Sequence, residues 1–193
     1  MTEEAKMMSL SALSTGSKNM ALVLVGSAMI AIAAQISIPM FPVPMTLQTL
    51  AISLIGLTFG TRLAAFTVLA YLAQGALGFP VFANGGAGLV KLFGPTSGFL
   101  FGFVAMAFLT GWLVERGLSG GVLRLSVAAF VPATVLYVPG VLGLWLVTPL
   151  DLSSAIMVGA VPFLLGDVVK ALLAAFVVAG GARLLKSFGS LIH

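Results

Sequence analysis

The amino-acid sequence predicts an all-α integral membrane protein: six transmembrane helices, with a Pro-rich and a Gly-rich loop on the extracellular side. Three observations predict it. The 193 residues are 60% hydrophobic and only 7% charged, where soluble domains carry about 25% charged residues. The apolar residues fall into blocks near the length that crosses a bilayer, separated by Pro, Gly and charge. The basic residues divide unevenly between the two sides that six spans create.

The mean hydropathy is +1.20. A chain this apolar cannot cover a water-facing surface with polar groups, whereas in lipid the outer face is itself apolar. The whole chain reads as one membrane domain: a cytoplasmic N-terminal tail over 1–19, a six-helix core over 20–185 and a cytoplasmic tail over 186–193. The net charge of +4 comes from scattered single Lys and Arg, so it forms no patch for nucleic acid.

Met1 to Asn19 is polar, with Glu3, Glu4, Lys6 and Lys18. The first span is expected over Met20–Ile38. Its Ala31-Ile32-Ala33 resembles a signal-peptidase site, but the apolar run continues past it, so a retained helix is expected. Pro39, Pro42 and Pro44 then make a stiff loop, because proline removes a backbone donor and ends helices. The second span, Thr46–Phe59, is short. Gly60-Thr61-Arg62 turns the chain into the third, Leu63–Leu77. The segment 78–98 holds Gly78, Gly85, Gly86, Gly88, Gly94 and Gly98. It reads as a long structured loop of the kind that usually carries function.

The fourth span is expected over Phe99–Val114, ending at Glu115-Arg116-Gly117. The fifth runs from Leu123 to Val147 and contains Pro132 and Pro139. Leu152–Ala160 reads as a short surface helix, capped by Asp151 or Ser153. Pro162 suits the first turn of the sixth span, which is expected to reach Leu185. On this layout Lys6, Lys18, Arg62, Arg116, Arg124, Arg183 and Lys186 share the terminal side, and Lys91 stands alone opposite. The positive-inside rule puts both termini in the cytoplasm. The Pro-rich loop, the Gly-rich loop and the Asp151 segment then share the outer face.

Asp167 and Lys170 are the residues to examine first. Counted from Pro162, they lie about 7–8 Å and 12 Å into the sixth helix at 1.5 Å per residue. Three residues apart, they share a face. Charges at that depth are costly unless they meet a partner or a cavity. The plain reading is a self-neutralising pair, but apolar residues would serve structure alone at lower cost. The pair offers a donor and an acceptor on one wall, which suits a cyclic urea or amide; a carboxylate also fits Lys170. Gln48 and Thr46 are polar at membrane level and either line a pocket or bond a neighbouring helix. Asn84 precedes Gly, a common turn position. Lys91 is either a solvated loop lysine or an attractor of anions. Tyr137 and Trp145 can stack on a ring or anchor at the interface. Ser27 and Ala31 form a small-xxx-small step that can seat a partner helix.

The five carboxylates form no close intramembrane set, and the chain lacks G-x-x-x-x-G-K-[ST], H-E-x-x-H and G-x-S-x-G. It has no Cys, and its one His is His193. No enzyme activity, metal or cofactor is expected.

Four motifs now stand in order along the chain: Pro42-Val-Pro-Met-Thr-Leu-Gln48, Gly78-Phe-Pro-Val-Phe82 with the Gly-rich run, Gly94-Pro-Thr-Ser-Gly98, and Pro162-Phe-Leu-Leu-Gly-Asp167-Val-Val-Lys170. Together they resemble the BioY family, the biotin-specific substrate-capture (S) components of energy-coupling-factor transporters. The resemblance spans the chain from the first helix onward. It implies a six-helix cell-membrane protein that captures biotin beneath its outer loops, with Asp167 and Lys170 as ligands. It also implies partner ATPases and a transmembrane coupling subunit, although some members are thought to work alone. In some members an Asn of the Gly-rich loop and an Arg after Gly-Pro-x-x-Gly also touch ligand; here those places hold Gly86 and Leu100. Asn84 and Lys91 are the candidate substitutes. The family's partner step on the first helix is often Ala-x-x-x-Ala, to which Ser27 and Ala31 are the nearest match. Alternatives are the same fold serving another small vitamin and, far behind, a small membrane enzyme acting on lipid.

Overall fold

The computed structural model describes residues 3–191, so His193 lies outside the described residues. Helix α1 runs over Glu3–Gln35. Nothing between Glu3 and Asn19 stops a helix: there is no proline, and Gly16 is a single weak point. The polar segment expected as a tail is therefore continuous with the first helix. The helix also stops at Gln35, earlier than expected. Ser37–Ile38 (β1) pairs antiparallel with Met45–Thr46 (β2), and the pair closes off the Pro-rich loop between them.

Helices α2 (Gln48–Phe59) and α3 (Thr61–Ala76) follow, hinged at Gly60 with φ 80°. The Glu115 Oε1 accepts the Thr61 N–H at 2.8 Å, so a carboxylate 54 residues away satisfies an unpaired amide at the start of α3. The Gly-rich segment makes a single turn at Ala83–Gly85 and a short helix α4 (Gly88–Leu92). Helix α5 spans Ser97–Glu115. The expected fifth helix is observed as α6 (Gly121–Val135) and α7 (Tyr137–Val147), interrupted at Leu136. Pro139 cannot donate to the Val135 carbonyl, which accounts for the break. Helix α8 (Leu152–Gly159) is capped by Asp151, whose Oδ1 accepts the Ser154 N–H at 3.1 Å. Asp151 rather than Ser153 is the cap. Helix α9 then runs over Leu164–Leu191, beyond the expected end at Leu185.

Among the described residues, four helical stretches are long and apolar enough to cross a membrane: Gly16–Gln35, Ser97–Glu115, Gly121–Val147 and Leu152–Leu184. Helices α2 and α3 fall short of the roughly 20 residues a bilayer requires. They pack inside the bundle, against α1, α5 and α9. The main core lies between α1, α2, α3, α5 and α7, with Ile30, Ile52, Ile55, Tyr71, Met106 and Leu144 buried. A second core sets Ala128 and Ala129 on α6 against Ala171, Ala174 and Ala175 on α9, with Leu57 and Leu125 beside them. Small side chains allow close helix approach in lipid, where packing rather than water release drives association.

The tightest approach joins α5 to α7. A Cβ at Gly98 would fall on the Pro139 carbonyl, and one at Gly143 would lie 2.8 Å from Gly98 Cα. Gly98→Ala is therefore expected to destabilise the protein by about 1–3 kcal/mol through overpacking, read as a lower midpoint of thermal unfolding in detergent. Gly180→Ala, which meets nothing within 4 Å, serves as the control. Equal midpoints for the two variants would contradict this packing.

Candidate functional site

Asp167 and Lys170 sit on the first and second turns of α9, 3% and 8% exposed. Lys170 Nζ donates to Asp167 Oδ1 at 3.1 Å. Thr49, on the first turn of α2, joins the two: its hydroxyl donates to Asp167 Oδ1 at 3.0 Å and accepts from Lys170 Nζ at 3.1 Å. The Tyr137 hydroxyl of α7 donates to Asp167 Oδ2. Three helices thus meet on one carboxylate.

This cluster forms part of the wall of a cavity of about 490 Å³, within the usual range for small-molecule sites. Its other walls include Pro42 of the Pro-rich loop, Phe82 and Asn84 of the Gly-rich segment, and Phe99 and Leu100 of α5. Hydrogen bonds hold those loops in place. Gln48 Nε2 donates to Tyr71 OH at 2.7 Å, and Tyr71 OH donates to the Val81 carbonyl at 3.1 Å. Phe82 meets Tyr71 edge-on, with ring centroids 5.5 Å apart. A Cβ at Gly75 would run into the Phe82 ring, so this glycine lets the loop settle on α3. At the end of α1, Gln35 Nε2 donates to the Phe82 carbonyl at 3.2 Å and Gln35 Oε1 accepts the Gly85 N–H at 2.9 Å. Ser37 Oγ donates to Asn84 Oδ1 at 2.9 Å, and Asn84 adopts the left-handed conformation, φ 58°.

The structure brings Asp167, Lys170, Tyr137, Gln48, Asn84 and Lys91 to this one cavity. Gln48 fulfils both readings, as a wall residue and as a partner to Tyr71. Gly86 does not line the cavity. It is buried, its carbonyl accepting the Phe82 N–H at 3.0 Å. Ser27 also needs correction as a partner-helix seat. It is fully buried, its Oγ accepting from Gln74 Nε2 at 2.9 Å and donating to the Leu24 carbonyl at 3.0 Å. A Cβ at neighbouring Gly26 would meet Thr67 at 2.7 Å. This step on α1 therefore seats the chain's own α3, while Ala31 is half-buried against the core. Thr49 was missed. A threonine at the start of an apolar helix reads as a cap, and its two ionic partners lie more than a hundred residues away.

The cluster's remaining donors and acceptors set what it can offer a ligand. An ammonium has three N–H donors and a carboxylate about four lone-pair positions. Two of Lys170's donors and three of Asp167's positions are used internally. One donor on Lys170 and one acceptor position on Asp167 Oδ2 remain. That edge matches a molecule presenting a carbonyl next to an N–H.

A polytopic helical bundle with a small-molecule cavity and a pre-paired polar edge inside it is a membrane protein built to capture a small ligand. The comparisons narrow the class. The BioY family matches residues 3–187. The biotin transporter BioY2 of Lactococcus lactis is 36% identical over 80% of this chain and 85% of its own length. The biotin transporter BioY of Thermotoga maritima is 38% identical over 78% and 88%, and that of Rhizobium etli 41% over 72% and 78%. The chain belongs to the BioY family. A solved structure described as the S-component for biotin from an ECF-type ABC transporter has the same fold: it overlays with a TM-score of 0.77 across 95% of each chain, at 23% identity.

Thr49→Val removes the hydroxyl shared by both charges and is expected to destabilise the protein by about 1–3 kcal/mol, with Thr49→Ser restoring most of it. Lys170→Met leaves a buried carboxylate without its cation and is expected to cost about 3–5 kcal/mol. Adding Asp167→Asn to Lys170→Met should recover much of that loss. Strictly additive effects in unfolding experiments would show that the pair is not coupled.

Proposed function

We propose that this chain is the biotin-capture subunit of a biotin uptake transporter in the cell membrane, energised by partner ATPases through a transmembrane coupling subunit. The observation that carries this reading is the leftover edge at Asp167 and Lys170, in a protein of the BioY family. The ureido ring of biotin presents a carbonyl flanked by N–H groups. Asp167 Oδ2 accepts from one ureido N–H, and the third Lys170 N–H donates to the ureido oxygen. The ring packs beside Phe82, Phe99 and Tyr137, which line the same cavity. Asn84 supplies a further polar contact from the Gly-rich segment, and Gln48 holds the wall behind it. The relatives described as biotin transporters support the ligand.

The proposed topology has six spans, α1, α2, α3, α5, α6 with α7, and α9, with both termini cytoplasmic. The short α2 and α3 reach full depth only by extending through the β pair and the Gly-rich segment. The distribution of Lys and Arg supports this orientation.

Titration calorimetry on the detergent-purified chain is expected to show nanomolar-to-micromolar biotin binding, weakened at least about tenfold by Asp167→Asn and by Lys170→Ala. Unchanged affinity in both variants would remove the site assignment. Binding of riboflavin or thiamine in place of biotin would redirect the function. Because the chain has no native cysteine, Ser119→Cys and Ser153→Cys, both at exposed positions, are expected to react with an impermeant maleimide from opposite sides of the membrane. Labelling from one side would rule out the six-span layout.

A further inference from the structure

We propose that Lys91 anchors the ligand's negative charge, so that the cavity takes an amphiphilic monoanion with its neutral polar end at Asp167 and its anionic group at the mouth. This rests on the reading of the cavity as a biotin site and assigns biotin's orientation within it.

The charged side chains lining the cavity are Asp167, Lys170 and Lys91. The first two neutralise each other. The cavity's net positive charge therefore belongs to Lys91. The charges differ in depth as well as sign. Asp167 and Lys170 are buried, whereas Lys91 is exposed, so the excess charge lies where the cavity opens. A carboxylate seated at the buried end would face Asp167, a like charge, and would compete for a cation that already has two partners.

Lys91 is also positioned for the task. Its aliphatic stem lies across Gly86: a Cβ there would come within 2.9 Å of Lys91 Cε and 3.2 Å of Cδ. The backbone at Gly86, φ −64° and ψ 147°, is open to any residue. Its neighbours Gly85 and Gly88 have φ of 67° and 78° and are glycine for conformational reasons. Gly86 is thus glycine for space, and Lys91 fills that space. A lysine whose stem is laid against buried backbone keeps its ammonium near one place at reduced entropic cost.

The test compares biotin with its neutral primary amide, titrated into the full chain and its variants. The wild type is expected to prefer biotin. Lys91→Met should weaken biotin by about 10- to 100-fold and change the amide less than about twofold, abolishing the preference. Lys91→Arg should retain it. Gly86→Ala, which displaces the stem, should reduce the preference in the same direction. Equal losses for both ligands would mean a structural role for Lys91, and no loss for either would mean a solvated lysine; each overturns the proposal. A wild type that binds amide and biotin equally also overturns it while leaving the biotin reading intact. Failure to bind either molecule removes both.

Discussion

A buried carboxylate that accepts three hydrogen bonds from three different helices is the constraint on which the site depends. Asp167 on α9 is reached by Thr49 of α2, Tyr137 of α7 and Lys170 of its own helix. Desolvating that charge is costly, and lipid offers no water to compensate. The cost is offset only if every donor arrives in register. That requirement sets where α2 begins, where α7 starts after Leu136, and how early in α9 the first charge falls.

The surrounding loops follow from the same demand for depth. Helix α2 is 12 residues long, about 18 Å at 1.5 Å per residue, and cannot fill the bilayer alone. In the proposed layout the cavity near its first turn is walled by the Pro-rich loop and by the Gly-rich segment. Irregular backbone at membrane level is tolerated where it lines a cavity and its polar groups are satisfied. Gln35, Gln48 and Tyr71 supply those bonds, and Gly75 gives Phe82 room to pack down. A cavity with pre-formed walls binds ligand without first spending affinity on ordering loops.

Much of this was legible in the sequence, and the reasons differ by feature. The apolar blocks marked the bundle because burial in lipid depends on composition, which is local. Asp167 and Lys170 stood out because charge at that depth has few tolerable explanations. Their link to Thr49 was not legible, since it spans more than a hundred residues and threonine is common at helix starts. Nor was the extent of α1, where polar residues suggested a tail although none of them breaks a helix. Ser27 misled for a related reason: a small-residue step signals close helix approach but does not say to which helix. Here Gln74 and Thr67 of α3 occupy it. Gly86 stands where some members hold Asn, and here it makes room for the stem of Lys91, a side chain five residues on.

Stability and specificity pull against each other at this site. An apolar replacement of the charge pair would fold at lower cost, as buried ion pairs commonly do when replaced by well-packed hydrophobic groups. What such a replacement could not supply is a spare donor on Lys170 and a spare acceptor position on Asp167, both inside the cavity. Discrimination follows from the penalty for leaving them unpaired: a ligand without a matching carbonyl and N–H strips water from both groups and returns nothing. The internal bonds from Thr49 and Tyr137 sharpen this by using up all but one position on each partner. A fully free Asp167 would accept many hydrogen-bond donors in many poses, whereas one already holding three bonds admits one geometry. The residues that make the pair tolerable to the fold are therefore the same ones that make it selective.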